Sequence, residues 1–416
     1  MDKVNKQLTF IDLFAGAGGL SEGFIRSGYK PLAHIEMDLN ACFTLQTRLS
    51  YHWLKSKRLE YVYHSYLLGE ITRDELYSIT PDNIINSVIN KKISEDTVQD
   101  ILSDIDNLIK SENEDTVDVL IGGPPCQAFS LIGRKVNQSK KETDERIHYY
   151  KLYAKFLSKY KPKVFVFENV VGLKSYNNGI LLPEVKRVLS DEDYKVEYKI
   201  LNSANFGVLQ NRRRIIIIGW LKDLNFIYPE FDKTEGKYIV NDLLKDLPAL
   251  KPGEEQTVAT YISGPTQYLI DSEIRNGLDF TVQHIARPHN ENDRDIYRTA
   301  IRLWNKNKKR LKYSELDADL ITHENVESFL DRFKVVAKDL SFCHTLIAHI
   351  AKDGHYYIHP SLKQARSLSV REAARIQSFP DDYFFEGRRT NMLTQIGNAV
   401  PPLMAKSIAQ KILGLL

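Results

Sequence analysis

The sequence predicts an α/β fold: a mostly parallel sheet flanked by helices, with a second, smaller domain. Three observations carry this. The runs at 164–167 and 214–220 are apolar on consecutive residues, as in strands covered on both faces. The opening residues alternate strand, glycine turn, helix and strand, which is a β-α-β unit and requires parallel pairing. After about residue 222 the composition turns polar, Asn-rich and charge-rich, which marks a different unit.

Residues 7–20, QLTFIDLFAGAGGL, read as a strand and a glycine turn, with Ser21-Glu22-Gly23-Phe24 entering a helix. Glycine there lets the backbone approach a ligand. The next strand, 31–35, ends in Glu36 and Asp38, and Glu36 stands twenty positions after Gly16, where a carboxylate accepts ribose hydroxyls. The pattern departs from G-x-G-x-x-G and Asp12 precedes it, which suits a cationic amino-acid ligand better than a pyrophosphate. S-adenosylmethionine joins a ribose to a sulfonium. An ordinary tight turn with a solvated Glu36 explains the same residues.

From 41 to 116 the chain exceeds a simple crossover, with helical periodicity at 66–78 and 94–110, so a helical elaboration is expected. The run 117–121 reads as a buried parallel strand that stops at GGPPCQAFS. Pro124 and Pro125 are stiff and lack amide donors, so the chain leaves the sheet there. Cys126 then stands at the strands' carboxyl edge, where a nucleophile is useful; a core-filling cysteine is the plainer alternative. Glu168 ends the strand VFVF at the same edge and can donate to a ring nitrogen, or merely cap a turn. In Gln210-Asn211-Arg212-Arg213-Arg214, strand alternation points Arg212 and Arg214 to one side, so they can act together on phosphate or carbonyl oxygens, or form a solvated face. Beyond 222, residues 284–314 interleave basic and aromatic side chains. Gln395-Ile396-Gly397-Asn398 leads into PPLMAKSIAQKILGLL, an amphipathic helix expected to dock on the first domain.

Composition limits the alternatives. The chain of 416 residues is 43 % hydrophobic, with a formal net charge of only +3, so nucleic-acid binding must come from local patches. Three cysteines without close spacing (Cys42, Cys126, Cys343) argue against a disulfide framework and a thiolate zinc site, and no metal is expected. The N-terminus has no signal-peptide run, and the longest aliphatic stretch, 215–218, is far below the roughly 20 residues of a membrane span. A soluble cytoplasmic protein is expected.

FIDLFAGAGGL, GGPPCQAFS, ENV after a strand, QNRRR before a strand and QIGNAVPP, in that order, resemble the DNA (cytosine-5) methyltransferases of the bacterial modification type. The blocks cover residues 9 to about 220 and 366 to 416. The resemblance implies an S-adenosylmethionine-dependent, Rossmann-like catalytic domain over 1–221 plus 386–416 and a target-recognition domain over 222–385. It implies that Cys126 adds to C6 of a flipped-out cytosine, that Glu168 holds N3 and the exocyclic amine, and that Arg212 and Arg214 contact the ring edge. For the S-adenosyl-L-methionine it implies Phe14, Gly16, Gly18, Gly19, Leu20, Glu36, Met37, Pro125, Asn398 and Ala399. The family's acidic residue for the adenine amine has no clean equivalent; Asn90 is the substitute and Asp104 a weaker one. DNA contacts are expected from Gln127, Ser130, Arg134 and Lys135 in a closing loop, 127–146, and from Gln210. His289, Arg294, Arg298, Lys306, Lys308, Lys309 and Arg310 are the candidate phosphate contacts, and Arg366 is expected to be structural. Double-stranded DNA is the implied partner, with a companion restriction endonuclease and a monomeric state as family-level expectations. A methyltransferase acting on RNA is one rival. A nicotinamide-dependent oxidoreductase is another, but it leaves PPCQ and QNRRR without purpose.

Overall fold

The structure, a computed structural model, describes residues 7–125, 148–234, 236–321 and 327–416. Seven strands form the central sheet: β1 (Thr9–Leu13), β2 (Lys30–Glu36), β3 (Val88–Asn90), β4 (Val119–Gly122), β5 (Val164–Val170), β6 (Tyr194–Asn202) and, after the two-residue β7 (Gln210–Asn211), β8 (Arg213–Leu221). Their order is β3-β2-β1-β4-β5-β8-β6. Strands β1 to β5 pair in parallel. The sheet is mostly parallel, as expected; the exception is β8, which runs antiparallel to both β5 and β6. The cause is connection length: β6 and β8 are joined through the short turn Ser203–Phe206 and β7, while a parallel return needs a crossover of a dozen or more residues.

Because β2 lies on one side of β1 and β4 on the other, the chain order reverses between β1 and β4. The loops leaving these two strands therefore flank a crevice at the carboxyl edge of the sheet.

Alternate side chains of each strand serve opposite faces. Ile11, Leu13, Leu120, Phe165 and Ile217 pack with α6 (Val98–Ser111), α7 (Tyr149–Tyr160) and α8 (Leu181–Ser190). Phe10, Ile121, Val166, Ile216 and Ile218 pack under α1 (Gly19–Ile25) and the C-terminal helix Pro402–Leu413. That last helix docks on the sheet as expected. A Cβ on Gly23 of α1 would lie 2.4 Å from the Ala405 backbone, so only glycine allows this close a crossing.

The elaboration between β2 and β3 is helical: α2 (Leu39–Ser56), α3 (Glu60–Leu67), α4 (Arg73–Ile79) and α5 (Asp82–Asn86). The single helix expected over 66–78 is two. Gly69, at φ 76°, breaks it, and Thr72 and Glu75 form a capping box that starts α4.

Beyond the sheet lie α9 (Asn241–Leu244), the hairpin β9 (Glu255–Thr260) and β10 (Phe280–Ile285), α10 (Gln267–Asp271), α11 (Glu291–Asn307), β11 (Cys343–His344), α12 (Val370–Ile376), α13 (Arg389–Asn398) and α14 (Pro402–Leu413), the C-terminal helix above. One core joins Leu243, Leu269 and Ile285 to Ala373, Phe379, Tyr383 and Ile396, and reaches Ala17 and Leu209 on the sheet side. Arg366 is fully buried and pairs with Glu372 at 2.7 Å, so its role is structural, as expected. Cys343 is a core residue, and burial pushes its thiol up to about 12. Among the described residues no helix is long and apolar enough to cross a membrane.

Candidate active site

At the carboxyl edge of β1 the chain turns through Phe14, Gly16 and Gly18, all at positive φ. Glu36, at the end of β2, ties this turn to the next strand. Its Oε2 accepts from the Gly16 amide at 2.8 Å, and its Oε1 accepts from the amides of Met37 and Asp38, each at 2.8 Å. Burial pushes the Glu36 carboxyl above the usual range, against the pull of these three amides. A Cβ on Gly19 would sit 2.3 Å from the Val400 carbonyl oxygen and 3.1 Å from Ala399 Cβ. The C-terminal block thus closes directly onto the glycine loop, with Ala399 buried and Asn398 exposed beside it.

Met37 and Leu39 leave apolar side chains 59 % and 52 % exposed next to Glu36. Leu39 escaped sequence reasoning, since an exposed leucine opening a helix carries no signal by itself. Phe14 is half-buried against the Tyr149 ring, centroids 5.2 Å apart.

Four residues expected on this side are held by the chain itself. Leu20 faces the core, 5 % exposed, so its side chain has no access to the crevice. Asp12 is 1 % exposed and accepts a hydrogen bond from Ser21 Oγ; burial raises its pKa to about 8, so it is no exposed anion for a cationic ligand. Asn90 does lie at the edge, but its Nδ2 donates to the carbonyls of Glu36 and Met37 at 3.1 Å and to Cys42 Sγ, so it braces the turn after β2. Asp104 pairs with Lys91 at 2.6 Å.

The second half of the crevice is built where β4 ends beside β5. A Cβ on Gly123 would lie 2.8 Å from Glu168 Oε2, so the backbone leaving β4 runs against that carboxylate. Asn169, 2 % exposed, donates from Nδ2 to the Pro124 carbonyl at 3.4 Å and accepts from the Val170 amide, fixing the start of the proline segment. Pro125 is half-buried. Cys126, one residue on, lies outside the described residues, as do Gln127, Ser130, Arg134 and Lys135. Arg214, entering β8, holds Glu168 through Nε at 2.8 Å. The register explains why: Arg214 stands opposite Val170, two residues along from Glu168 on the neighbouring strand.

Arg212 does not join Arg214. It falls in the break between β7 and β8, where alternation no longer applies, and its buried guanidinium donates to the carbonyls of Leu346, Gly397 and Asn398. Gln210, expected to touch DNA, is fully buried: its Nε2 donates to Ile376 O and Gln377 Oε1, and its Oε1 accepts from the Leu346 amide. Both residues fasten the entrance of β8 to the segments at 346, 376 and 397. Among the expected phosphate contacts, Arg294 pairs with Glu291, Arg298 with Asp295, Lys308 with Asp339 and Lys309 with Glu315. His289 is bound to Ser367 at 3.0 Å.

A glycine loop over a carboxylate at β1/β2, and a proline exit beside a carboxylate–guanidinium pair at β4/β5/β8, stand in the order in which a known family carries them. The family model for C-5 cytosine-specific DNA methylase matches residues 8–61 and 83–414. The chain belongs to the C-5 cytosine-specific DNA methylases. As a DNA cytosine methyltransferase it is 39 % identical to the type II methyltransferase M.Bpa9945I of Bacillus paralicheniformis, over 97 % of this chain and 98 % of that one. It is 30 % identical to the type II methyltransferase M1.HphI of Haemophilus parahaemolyticus, over 98 % of this chain and 87 % of that one. Its fold is shared by a prophage-encoded E. coli protein described as a DNA modification methyltransferase: TM-score 0.64, 21 % identity, 98 % and 99 % of the two chains covered. The stretch that the methylase family model leaves unmatched, 62–82, lies in the helical elaboration around α4.

Proposed function

We propose that this methylase transfers the methyl group of S-adenosyl-L-methionine to C5 of a cytosine flipped out of duplex DNA, through a covalent bond between Cys126 and C6. The observation that carries the reading is the Glu168–Arg214 pair set directly against Gly123, three residues before Cys126. The residues of the other half fit the methyl donor. Glu36 keeps lone pairs for ribose hydroxyls, the exposed Met37 and Leu39 offer apolar surface to an adenine, and Phe14, Gly16, Gly18 and Gly19 form the turn beneath the amino-acid part. Pro125, Asn398 and Ala399 close the same pocket. When bound, the donor supplies an electrophilic methyl group.

The chain supplies the rest. A free thiol with pKa near 8.5 is only a few per cent thiolate at neutral pH, so cationic groups nearby favour the nucleophile. The thiolate would add to C6, and the electron pair reaching C5 would take the methyl group as the methyl–sulfonium bond breaks and the thioether S-adenosylhomocysteine leaves. Water would then accept the C5 proton as the thiolate is expelled and the enzyme restored. Glu168, oriented by Arg214, holds N3 and the exocyclic amine while charge builds on the ring. A ring atom inside a duplex is out of reach, so the base leaves the stack at a cost of a few kcal/mol, recovered in pocket contacts. Residues 222–385 read the DNA sequence, while 1–221 with 386–416 carry the chemistry. Its relatives are named type II methyltransferases, which supports a modification enzyme paired with an endonuclease of the same site; the enzyme is proposed to act as a monomer in the cytoplasm.

Duplexes of pooled sequence carrying 5-fluorocytosine test this, because fluorine cannot leave C5 as a proton does and the adduct persists. With S-adenosylmethionine, the wild type and Cys343→Ser are expected to form a denaturation-resistant complex, and Cys126→Ser none. No adduct and no methyl transfer by the wild type would refute the reading.

A further inference from the structure

Most basic side chains expected to meet phosphate are spent on carboxylates of their own chain, which leaves the question of which cations are available. Among the described residues neither Arg310 nor Lys334 makes an ion pair with a carboxylate, and the charge that acts most on Lys334 is Arg310, ahead of Asp331. The fold brings the two cations together. Leu311 and Phe333, the residues that follow Arg310 and precede Lys334, are buried in one core with Tyr313 and Ile358. Lys334 is fixed in backbone, its amide donating to His355 O at 3.0 Å and its carbonyl accepting from Ile358 at 2.9 Å. Its Nζ stands 5.5 Å over the Tyr356 ring.

Burial, and then the Arg310 guanidinium, hold the Lys334 ammonium below the usual lysine range. Burial and the same two cations hold the neighbouring His344 at about 4, so His344 stays neutral. A half-buried ammonium beside a second cation, with no carboxylate bound among the described residues, is stabilised by an anion brought from outside. The place suits the substrate: His344 and Cys343 form β11, which pairs with β7 immediately before Arg214 enters β8.

We infer that Lys334 and Arg310 are a two-cation anchor for a phosphate of the duplex, floored by Tyr356. This rests on duplex DNA being the substrate. The anchor positions the DNA without reading its sequence.

Binding of a labelled duplex of arbitrary sequence, followed by anisotropy over a range of KCl concentrations, tests the anchor. Lys334→Gln with Arg310→Gln is expected to weaken binding several-fold and to lower the slope of log K against log salt by about one, the value for one phosphate neutralised. Lys334→Arg keeps the slope. Arg298→Gln also keeps it, since Arg298 is paired with Asp295. Because Arg310 is exposed, Arg310→Gln alone is a variant that leaves the core intact and is expected to show part of the loss. An unchanged slope in these variants, alongside intact methyl transfer to genomic DNA, overturns the anchor alone. A loss seen with only one sequence also overturns it, because that marks a base reader. Absence of any methyl transfer by the wild type overturns the underlying reading instead.

Discussion

Asp12 is a carboxylic acid closed off at the end of β1, with Ser21 as its hydrogen-bond donor and Glu36 adding like charge nearby. Burial dominates and moves its pKa from 3.8 to about 8. Between these values the folded protein holds a proton that the unfolded chain has lost. Stability from this group is therefore complete below about pH 4, falls as pH rises, and is gone above about pH 8. Asp12→Asn removes the titration while leaving an acceptor for Ser21. Its unfolding free energy relative to the wild type is expected to climb by up to about 1.4 kcal/mol per pH unit across that window. Urea denaturation at pH 5 and pH 8 measures this, and parallel behaviour of the two proteins at both pH values would count against it. Glu168 was legible in sequence because a strand end is a local feature. The roles of Arg212 and Gln210 were not, because their partners at 346, 376, 377 and 397 are remote along the chain and, apart from the Gln377 amide, are backbone atoms, which leave no trace in residue type.

At the level of elements, the glycine loop is held from behind. α1 starts at the loop and crosses α14 at Gly23, while Gly19, one turn earlier on the same helix, lies under Val400. Gly23→Ala places a methyl group against the Ala405 backbone, where no side chain can swing away. It is expected to destabilise the protein by about 1–3 kcal/mol and, by tilting α1, to weaken S-adenosylmethionine binding without removing any group that touches it. Calorimetric titration and thermal unfolding read the two effects separately. Unchanged donor affinity in the folded variant would show that the loop is independent of the helix crossing. The glycines were visible in sequence as a loop signal, but Gly23 read only as a helix residue, since the helix it meets is separated from it by nearly the whole chain. The antiparallel course of β8 was hidden for a related reason: a fully buried strand is uniformly apolar in either direction, and only the short connection from β6 sets its sense.

For the molecule as a whole, α12 is the junction, and every one of its residues is buried. Arg375 donates to Asp381 at 2.9 and 2.6 Å and to Asp246 at 2.6 and 3.2 Å, and Arg371 donates to the carbonyls of Val282, Pro380 and Tyr383. Nothing in the sequence marks these arginines as buried, and the change of composition after 222 looks like a separate unit. The buried network instead ties the hairpin β9–β10 and α9 to the segment 366–399, whose core reaches Ala17 of the glycine loop. Burial alone pushes Asp381 upward, and the Arg375 guanidinium outweighs it and holds the carboxyl below its usual range. Arg375→Met keeps the bulk of the side chain but leaves Asp246 and Asp381 without their shared counter-charge. A loss of about 3–5 kcal/mol is expected, because a buried charge stripped of its partner retains its desolvation cost. Arg275, 3.3 Å from Asp246, relieves only one of the two carboxylates. Hydrogen exchange then separates a local wound from a global one: amides of Val164–Val170 and Phe280–Ile285 are expected to lose protection together, because the core of α12 holds Ile285 and reaches Ala17 at the edge of the sheet. If β10 opens while β5 stays protected, α12 serves only the outer region, and reading DNA and transferring the methyl group are not coupled through it.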